Sequence, residues 1–316
     1  METVILSGAA PLQSNVNIQN VFPEKSNILP GKRDFSIITN SAISVAEKLR
    51  ASAVITFSEE VTKISTGVPV FVFTGRKLAM MNELTRPIEE TGKSIYERME
   101  ERARSAVEEI SEASLIAFIN NLIDTEGLVV GIIKMKDSDS IIVYDLATNK
   151  IMKKLMECTE RVEARVLRSV LNIGLQIACQ GREGKSFGTA FIIGDSNEVM
   201  RRSHPLVLNP FEGQSKENCD IVNTQSWETV KSFAQLDGVF VITGKGIIRA
   251  AGRYLDINAK DVPTEKGLGG RHASAAAITR DTETIAVTVS TSGGTIRVFK
   301  DGLEVVKIEP DIMLVQ

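Results

Sequence analysis

Three short segments carry residues whose types suit phosphate chemistry. Asp237-Gly238-Val239 sets an acidic side chain at the entrance of an apolar strand; taken alone, a strand-edge charge accounts for it. Lys266-Gly267-Leu268-Gly269-Gly270-Arg271-His272-Ala273-Ser274 packs glycines just ahead of a cation. Backbone that bare can approach a polyphosphate closely and aim N–H groups at it. The Arg271 guanidinium adds a planar fork matched to phosphate oxygens. Ser290-Thr291-Ser292-Gly293-Gly294 supplies hydroxyls and glycines after a strand, although a hairpin turn explains it nearly as well.

Two apparent phosphate loops fail. Gly184-Lys185-Ser186 resembles the end of a P-loop, but Cys179 stands where the upstream glycine belongs. Its context is also reversed, with a helix before and a strand after. At Gly244-Lys245, Gly246 takes the place of the required Ser or Thr. Both read as turns: Gly181–Ser186 from helix to strand, and Thr243–Gly246 as a hairpin turn.

The elements that must position these segments fit a chain of two domains, 1–150 and 151–316, within 316 residues. With 43% hydrophobic and 24% charged residues the chain reads as globular, and with 5% aromatics its cores rest on Val, Ile, Leu and Ala. A net charge of −3 with no long basic run argues against a nucleic-acid partner. Cys158, Cys179 and Cys219 are too dispersed for a disulfide framework or a CxxC metal site and read as buried free thiols. The N-terminus has no signal-peptide pattern, and no apolar run approaches a membrane span, so a cytoplasmic protein is expected.

In the first half, Ser36–Thr39 reads as a strand, followed by a helix with Ala42, Val45, Ala46 and Leu49 on one face. Ala53–Phe57 and Val68–Phe73 read as strands, Glu89–Asp124 as a long helix, and Leu128–Lys134 and Ile141–Tyr144 as further strands. This alternation predicts a parallel α/β layer. Met152–Gln180 reads as one helical connector with Val166, Leu167, Val170, Leu171, Gly174 and Ala178 inward and Arg161, Glu163, Arg165 and Arg168 outward. Strands are then expected at Gly188–Ile193, Gly238–Thr243, Ser274–Ile278, Thr284–Val289 and Thr295–Phe299. One helix, Ser226–Gln235, is expected with Ser226 as its cap.

Two resemblances follow from these residues. SAISVAEKLRASAVITFSEE and then VPVFVFT, within Asn40–Thr74, resemble the C-terminal domain of pyruvate kinase. In that family the loop after the second strand can hold an effector phosphate; here Glu59 and Glu60 would repel one, which favours a scaffold or oligomerisation role. From about Gly188 onward, GTAFIIGD, SHPLVLNPFEG, WETVKSFAQLDGVFVITGKGIIRAAGRYL, VPTEKGLGGRHASAAAIT and VTVSTSGGTIRVFKDG resemble the diadenylate cyclase domain. The combination looks like the archaeal, soluble type of that enzyme. The implied fold class is α/β in both domains, the second a mixed sheet flanked by helices.

The diadenylate cyclase resemblance implies ATP as substrate, cyclic di-AMP as product, and a homo-oligomer whose catalytic domains face each other in pairs. It assigns Asp237, Arg271 and His272 to catalysis. Asp237 would hold the divalent cofactor, Mn²⁺ or Mg²⁺, while Arg271 and His272 would contact phosphates. Gly238, Gly267, Gly269, Gly270 and Ser290 would bind the nucleotide, and Leu255 would give adenine an apolar platform. Val239, Gly270, Ala273, Thr291 and Ser292 depart from the family pattern, and the last three remove charged groups. The alternative reading is therefore a catalytically silent nucleotide-binding or sensing module. His204 reads as structural, anchoring its loop toward Asn209-Pro210.

Overall fold

The computed structural model describes residues 34–58, 66–75, 95–134, 138–180, 187–260, 262–263, 269–291, 293–309 and 312–314. Loop residues Glu59 and Glu60, the turn 181–186, and site residues Lys266 and Gly267 lie outside the described set. Contacts divide the chain after Phe35, and the architecture below belongs to the unit Ser36–Gln316.

Helix α1 (Phe35–Leu49) opens the chain. The strand expected at Ser36–Thr39 is its first turn, because buried Thr39, Ala42, Ile43 and Ala46 continue one helical period back through that segment. The first sheet contains β1 (Ala53–Thr56), β2 (Val70–Gly75), β3 (Leu128–Lys134) and β4 (Asp139–Asp145), with helix α2 (Ile95–Ile119) between β2 and β3. Strands β1, β2 and β3 are parallel, as the alternation predicts. Both edges are antiparallel. β4 pairs with β3, and β12 (Ile312–Leu314), at the far end of the sequence, pairs with β2. The order is β12-β2-β1-β3-β4.

The expected single connector is two helices, α3 (Lys150–Cys158) and α4 (Ala164–Gln180). Asn149 caps α3, its side-chain oxygen accepting from Ile151 N and Met152 N at 3.1 and 3.0 Å. Thr159 stops it by hydrogen-bonding Met156 O through Oγ1 at 2.6 Å. In the elbow, Arg161 is drawn inward rather than outward, pairing with Asp301 at 2.6 Å and Glu283 at 2.9 Å. Arg168 also leaves the solvent face and lies 4.2 Å over the Phe118 ring. Cys158 is buried, and desolvation pushes its thiol up to about 11, so it stays an inert core thiol.

The second sheet has the order β11-β10-β9-β5-β7-β8-β6. Its strands are β5 (Thr189–Gly194), β6 (Ser203–Pro205), β7 (Val239–Thr243), β8 (Ile248–Leu255), β9 (Thr284–Val289), β10 (Ile296–Lys300) and β11 (Leu303–Ile308). Only β5 and β7 run parallel. Two short helices, α5 (Ser196–Arg201) and α6 (Trp227–Phe233), lie in the connections; Ser226 precedes α6 without capping it through its side chain. The Thr243–Gly246 turn forms as expected, with Gly246 N donating to Thr243 O at 2.9 Å.

Ser274–Ile278, expected as a strand, lies inside helix α7 (Gly270–Asp281). Ala273, Ala275, Ala276 and Ala277 give this stretch high helix propensity. Its apolar run reflects burial against the sheet rather than a strand. Helices therefore cover both faces. Val166, Val170 and Ile173 of α4 share a core with Ile285, Val287, Ile296 and Val298. On the opposite face Ala275–Ile278 pack with Ala190, Ile192, Val239, Val241, Ala286 and Phe299.

Candidate active site

Strand register brings the three segments together. Thr189 stands opposite Val289 across β5 and β9, and Phe191 opposite Phe240 across β5 and β7. The starts of β5 and β7 and the end of β9 therefore share one edge of the sheet, which sets Gly188, Asp237-Gly238 and Ser290 side by side. Helix α7 begins over the same edge.

Arg271, in the first turn of α7, joins them. Its Nη1 donates to Gly188 O at 2.6 Å, and its Nη2 lies 3.7 Å from Asp237 Oδ1. The first contact is a short charge-assisted hydrogen bond that fixes the guanidinium. The second is a loose ion pair beyond hydrogen-bond length, worth about 0–1 kcal/mol at such an exposed site. The Asp237 side chain is 93% exposed, so a cation can reach it.

The glycines divide by purpose. Gly238 has φ +98°, and a Cβ there would sit 2.6 Å from both the N and O of Arg253. Packing against β8 therefore demands glycine and turns Asp237 out of the strand. At Gly269 and Gly270 an added Cβ would meet nothing within 4 Å. Gly269 is the N-cap of α7 and offers no side-chain cap. The first helical N–H groups lack intrahelical acceptors, and with the helix dipole they form an anion-binding end.

His272, beside Arg271 in the first turn of α7, sits in the interior. The ring is only 8% exposed, and its Nε2 is sealed from solvent with no partner among the described residues. Burial, then the charges of Arg297 and Arg271, lower its pKa from 6.5 to about 4. An imidazole held neutral in the interior keeps one N–H donor for a phosphate but brings no positive charge to it. Leu255 is likewise interior, 4% exposed and packed with Val239 and Val241. Ser290 is half-buried at the foot of its loop, its N–H donating to Thr295 O at 2.9 Å. His204 pairs across to β8, with Nδ1 2.8 Å from Asp256, while Asn209 holds its own loop by donating to Arg249 O at 2.9 Å.

Sequence reasoning missed two contributors. Gly188 holds Arg271 through its carbonyl, and a Cβ there would lie 2.6 Å from Thr291 Oγ1 and 3.1 Å from Arg271 Nη1. Only glycine fits between them. Arg297, on β10, is 8% exposed at its side chain and 3.0 Å from Glu304. A charge inside the apolar run IRVF was the available signal. As for metal ligands, no group of three or more His, Cys, Asp or Glu that could hold an ion occurs among the described residues. A lone exposed carboxylate suits a hard cation that arrives with a triphosphate, since Mg²⁺-type ions take one or two carboxylates plus phosphate oxygens.

Comparisons with known proteins reach both halves, and through the Haloferax volcanii relative they show that the chain belongs to the diadenylate cyclase family. Residues 176–303 match the family described as DisA bacterial checkpoint controller nucleotide-binding. Residues 37–147 match a family described as probable sensor domain DacZ_A. A diadenylate cyclase of Haloferax volcanii is 34% identical over 228 residues, covering 68% of this chain and 78% of that protein. One of Methanocaldococcus jannaschii is 43% identical over 157 residues, half of each chain, so the chain spans about half the length of that relative. Among solved structures, DacA from Staphylococcus aureus aligns at 23% identity with a TM-score of 0.31, covering 45% of this chain and 85% of that one. Among the described residues no helix is long and apolar enough to cross a membrane.

Proposed function

We propose, from its membership of the diadenylate cyclase family, that this chain condenses two ATP molecules into cyclic di-AMP. The observation that carries the reading is Arg271, tied to Gly188 and Asp237 at the open N-terminus of α7. The 3′-hydroxyl of one ATP attacks the α-phosphorus of the other, forming a P–O bond as pyrophosphate leaves. The hydroxyl proton is released to solvent. A second, reciprocal step closes the ring and releases the second pyrophosphate. Two facing catalytic domains, each holding one ATP, supply the geometry.

Asp237 is the residue that would hold a divalent ion, Mn²⁺ or Mg²⁺, which when bound neutralises phosphate charge and lowers the pKa of the attacking hydroxyl. The loose Asp237–Arg271 pair separates at little cost when nucleotide enters. Gly188 keeps one arm of Arg271 fixed, and the remaining N–H groups turn to the phosphates. The first N–H groups of α7, with Gly269 and Gly270 open beside them, stabilise the charge that develops on the phosphoryl oxygens. Ser290 hydrogen-bonds a terminal phosphate.

Residues 1–150 act in this reading as a regulatory or organising unit, and 151–316 as the catalytic domain with its connecting helices. The test is direct. Purified protein is incubated with ATP and either Mn²⁺ or Mg²⁺, and products are separated by mass. Cyclic di-AMP is expected; ATP returned unchanged with both ions would refute the reading.

A further inference from the structure

An unbroken line of part-buried polar contacts runs from the end of α2 through α4 to α6. Asn120, one residue past α2, donates from Nδ2 to Ile116 O at 2.8 Å and accepts at Oδ1 from Asn172 Nδ2 at 2.7 Å. Asn172 Oδ1 accepts from Gln176 Nε2 at 2.9 Å, and Gln176 Oε1 accepts from Lys231 Nζ at 2.9 Å. Lys231 also pairs with Glu228 at 2.6 Å. Around the line lie buried Phe118, Ile119, Leu171, Ile173, Leu175, Val230 and Ala234.

The ends of this line fix its direction. An ammonium only donates, so Gln176 must turn its oxygen to Lys231 and its nitrogen to Asn172. The same logic passes through Asn172 to Asn120, whose nitrogen then faces the Ile116 carbonyl, a group that only accepts. Every amide has one orientation, and none can flip without breaking bonds at both sides. Such connected networks are worth more intact than in pieces.

Lys231 sits close to the catalytic carboxylate along the chain. Past the end of α6, Ala234 N donates to Val230 O at 2.8 Å and Leu236 N to Phe233 O at 3.0 Å, so the backbone runs tightly into Asp237. Phe233 packs edge-on against Phe211 at 5.7 Å, and Phe211 against Phe240 of β7 at 6.1 Å. A shift of α6 is therefore transmitted to both sides of Asp237.

We propose that Lys231 is a positioning residue for Asp237, and that the line Asn120–Asn172–Gln176–Lys231 couples the first α/β unit to the cyclase site. The proposal rests on the cyclase reading above. Its prediction is a loss in kcat rather than in nucleotide binding, because a carboxylate displaced by about 1 Å can cost up to ~10²-fold in rate.

The test compares full-length Gln176→Met and Lys231→Met with wild type. Both keep side-chain length and remove the hydrogen bonds. Each should lower kcat about tenfold, leave KM for ATP within about twofold, and speed amide exchange over residues 234–240. The double variant should lose no more than either alone, since both cut one line. Folded variants with wild-type kcat and unchanged exchange would overturn the proposal. So would losses that multiply, or losses that track only the fraction unfolded. If the wild type makes no cyclic di-AMP, the functional reading fails, while faster exchange over 234–240 in Gln176→Met still decides the positioning claim.

Discussion

Acidification should destabilise this protein through His272 in a calculable way. The ring is buried beneath the first turn of α7, and desolvation together with Arg297 and Arg271 lowers its pKa to about 4. In the unfolded chain a histidine titrates near ~6.5. Between those values the unfolded state binds a proton that the folded state refuses, so stability rises with pH across the window. The contribution is fully present above the unfolded value and is lost as pH falls toward about 4. Worked from the two pKa values, the loss between about pH 7.5 and about pH 5 is about 2 kcal/mol. Glu304, 3.0 Å from Arg297, offsets part of that arginine's field and leaves burial as the main cause.

Two measurements check this. The ring-proton NMR signal of His272 should not move above about pH 5. Urea unfolding of wild type and His272→Gln across the same pH range should differ in slope by about the calculated amount. A His272 midpoint near ~6.5, or parallel pH profiles for the two proteins, would refute the reasoning and return His272 to the solvent-facing role the resemblance implies.

Asp237→Asn should cut cyclic di-AMP synthesis by at least ~10²-fold with an unchanged melting temperature, because the side chain is 93% exposed and its pair with Arg271 is loose. Gly238→Ala should destabilise the fold by roughly 3 kcal/mol, since it meets both a positive φ and the Arg253 backbone; thermal unfolding would read the loss. Gly269→Ala should leave the melting temperature alone, there being open space for the methyl, and any effect should appear in ATP affinity. Mixing wild-type and Asp237→Asn subunits equally should leave about a quarter of face-to-face pairs fully wild type and halve cyclic product per wild-type subunit. An undiminished rate per wild-type subunit after confirmed exchange would rule out reaction between facing domains.

Much of the second sheet was legible because its strands are short apolar runs bounded by Gly, Asp and Asn. β5, β7, β9 and β10 all lie within a residue or two of their expected bounds. The failures share a cause. Ser36–Thr39 and Ser274–Ile278 are apolar stretches too short for periodicity to separate a strand from a buried helix. Composition was the better guide at Ser274–Ile278, where alanine dominates. The elbow at residues 159–163 escaped notice because Thr159 ends α3 through its own hydroxyl, with no Gly or Pro to mark the break. That β12 joins the first sheet is a long-range pairing, and no local pattern encodes it.

The site divides in the same physical way. Segments rich in Gly, Asp and Arg announce themselves, but sequence order says nothing about which ends of which strands meet. The parallel register of β5 with β7 and the antiparallel register of β5 with β9 set Gly188, Asp237 and Ser290 on one edge. The strand expected at Ser274–Ile278 begins after Arg271 and His272, whereas the helix starts at Gly270 and takes both in. Successive residues on a helix point about 100° apart, so Arg271 and His272 leave the first turn of α7 in different directions. Arg271 turns to the sheet edge and meets Gly188 O, while His272 turns inward, where burial lowers its pKa. The glycines ahead of them do not announce that the two neighbours enter such different surroundings.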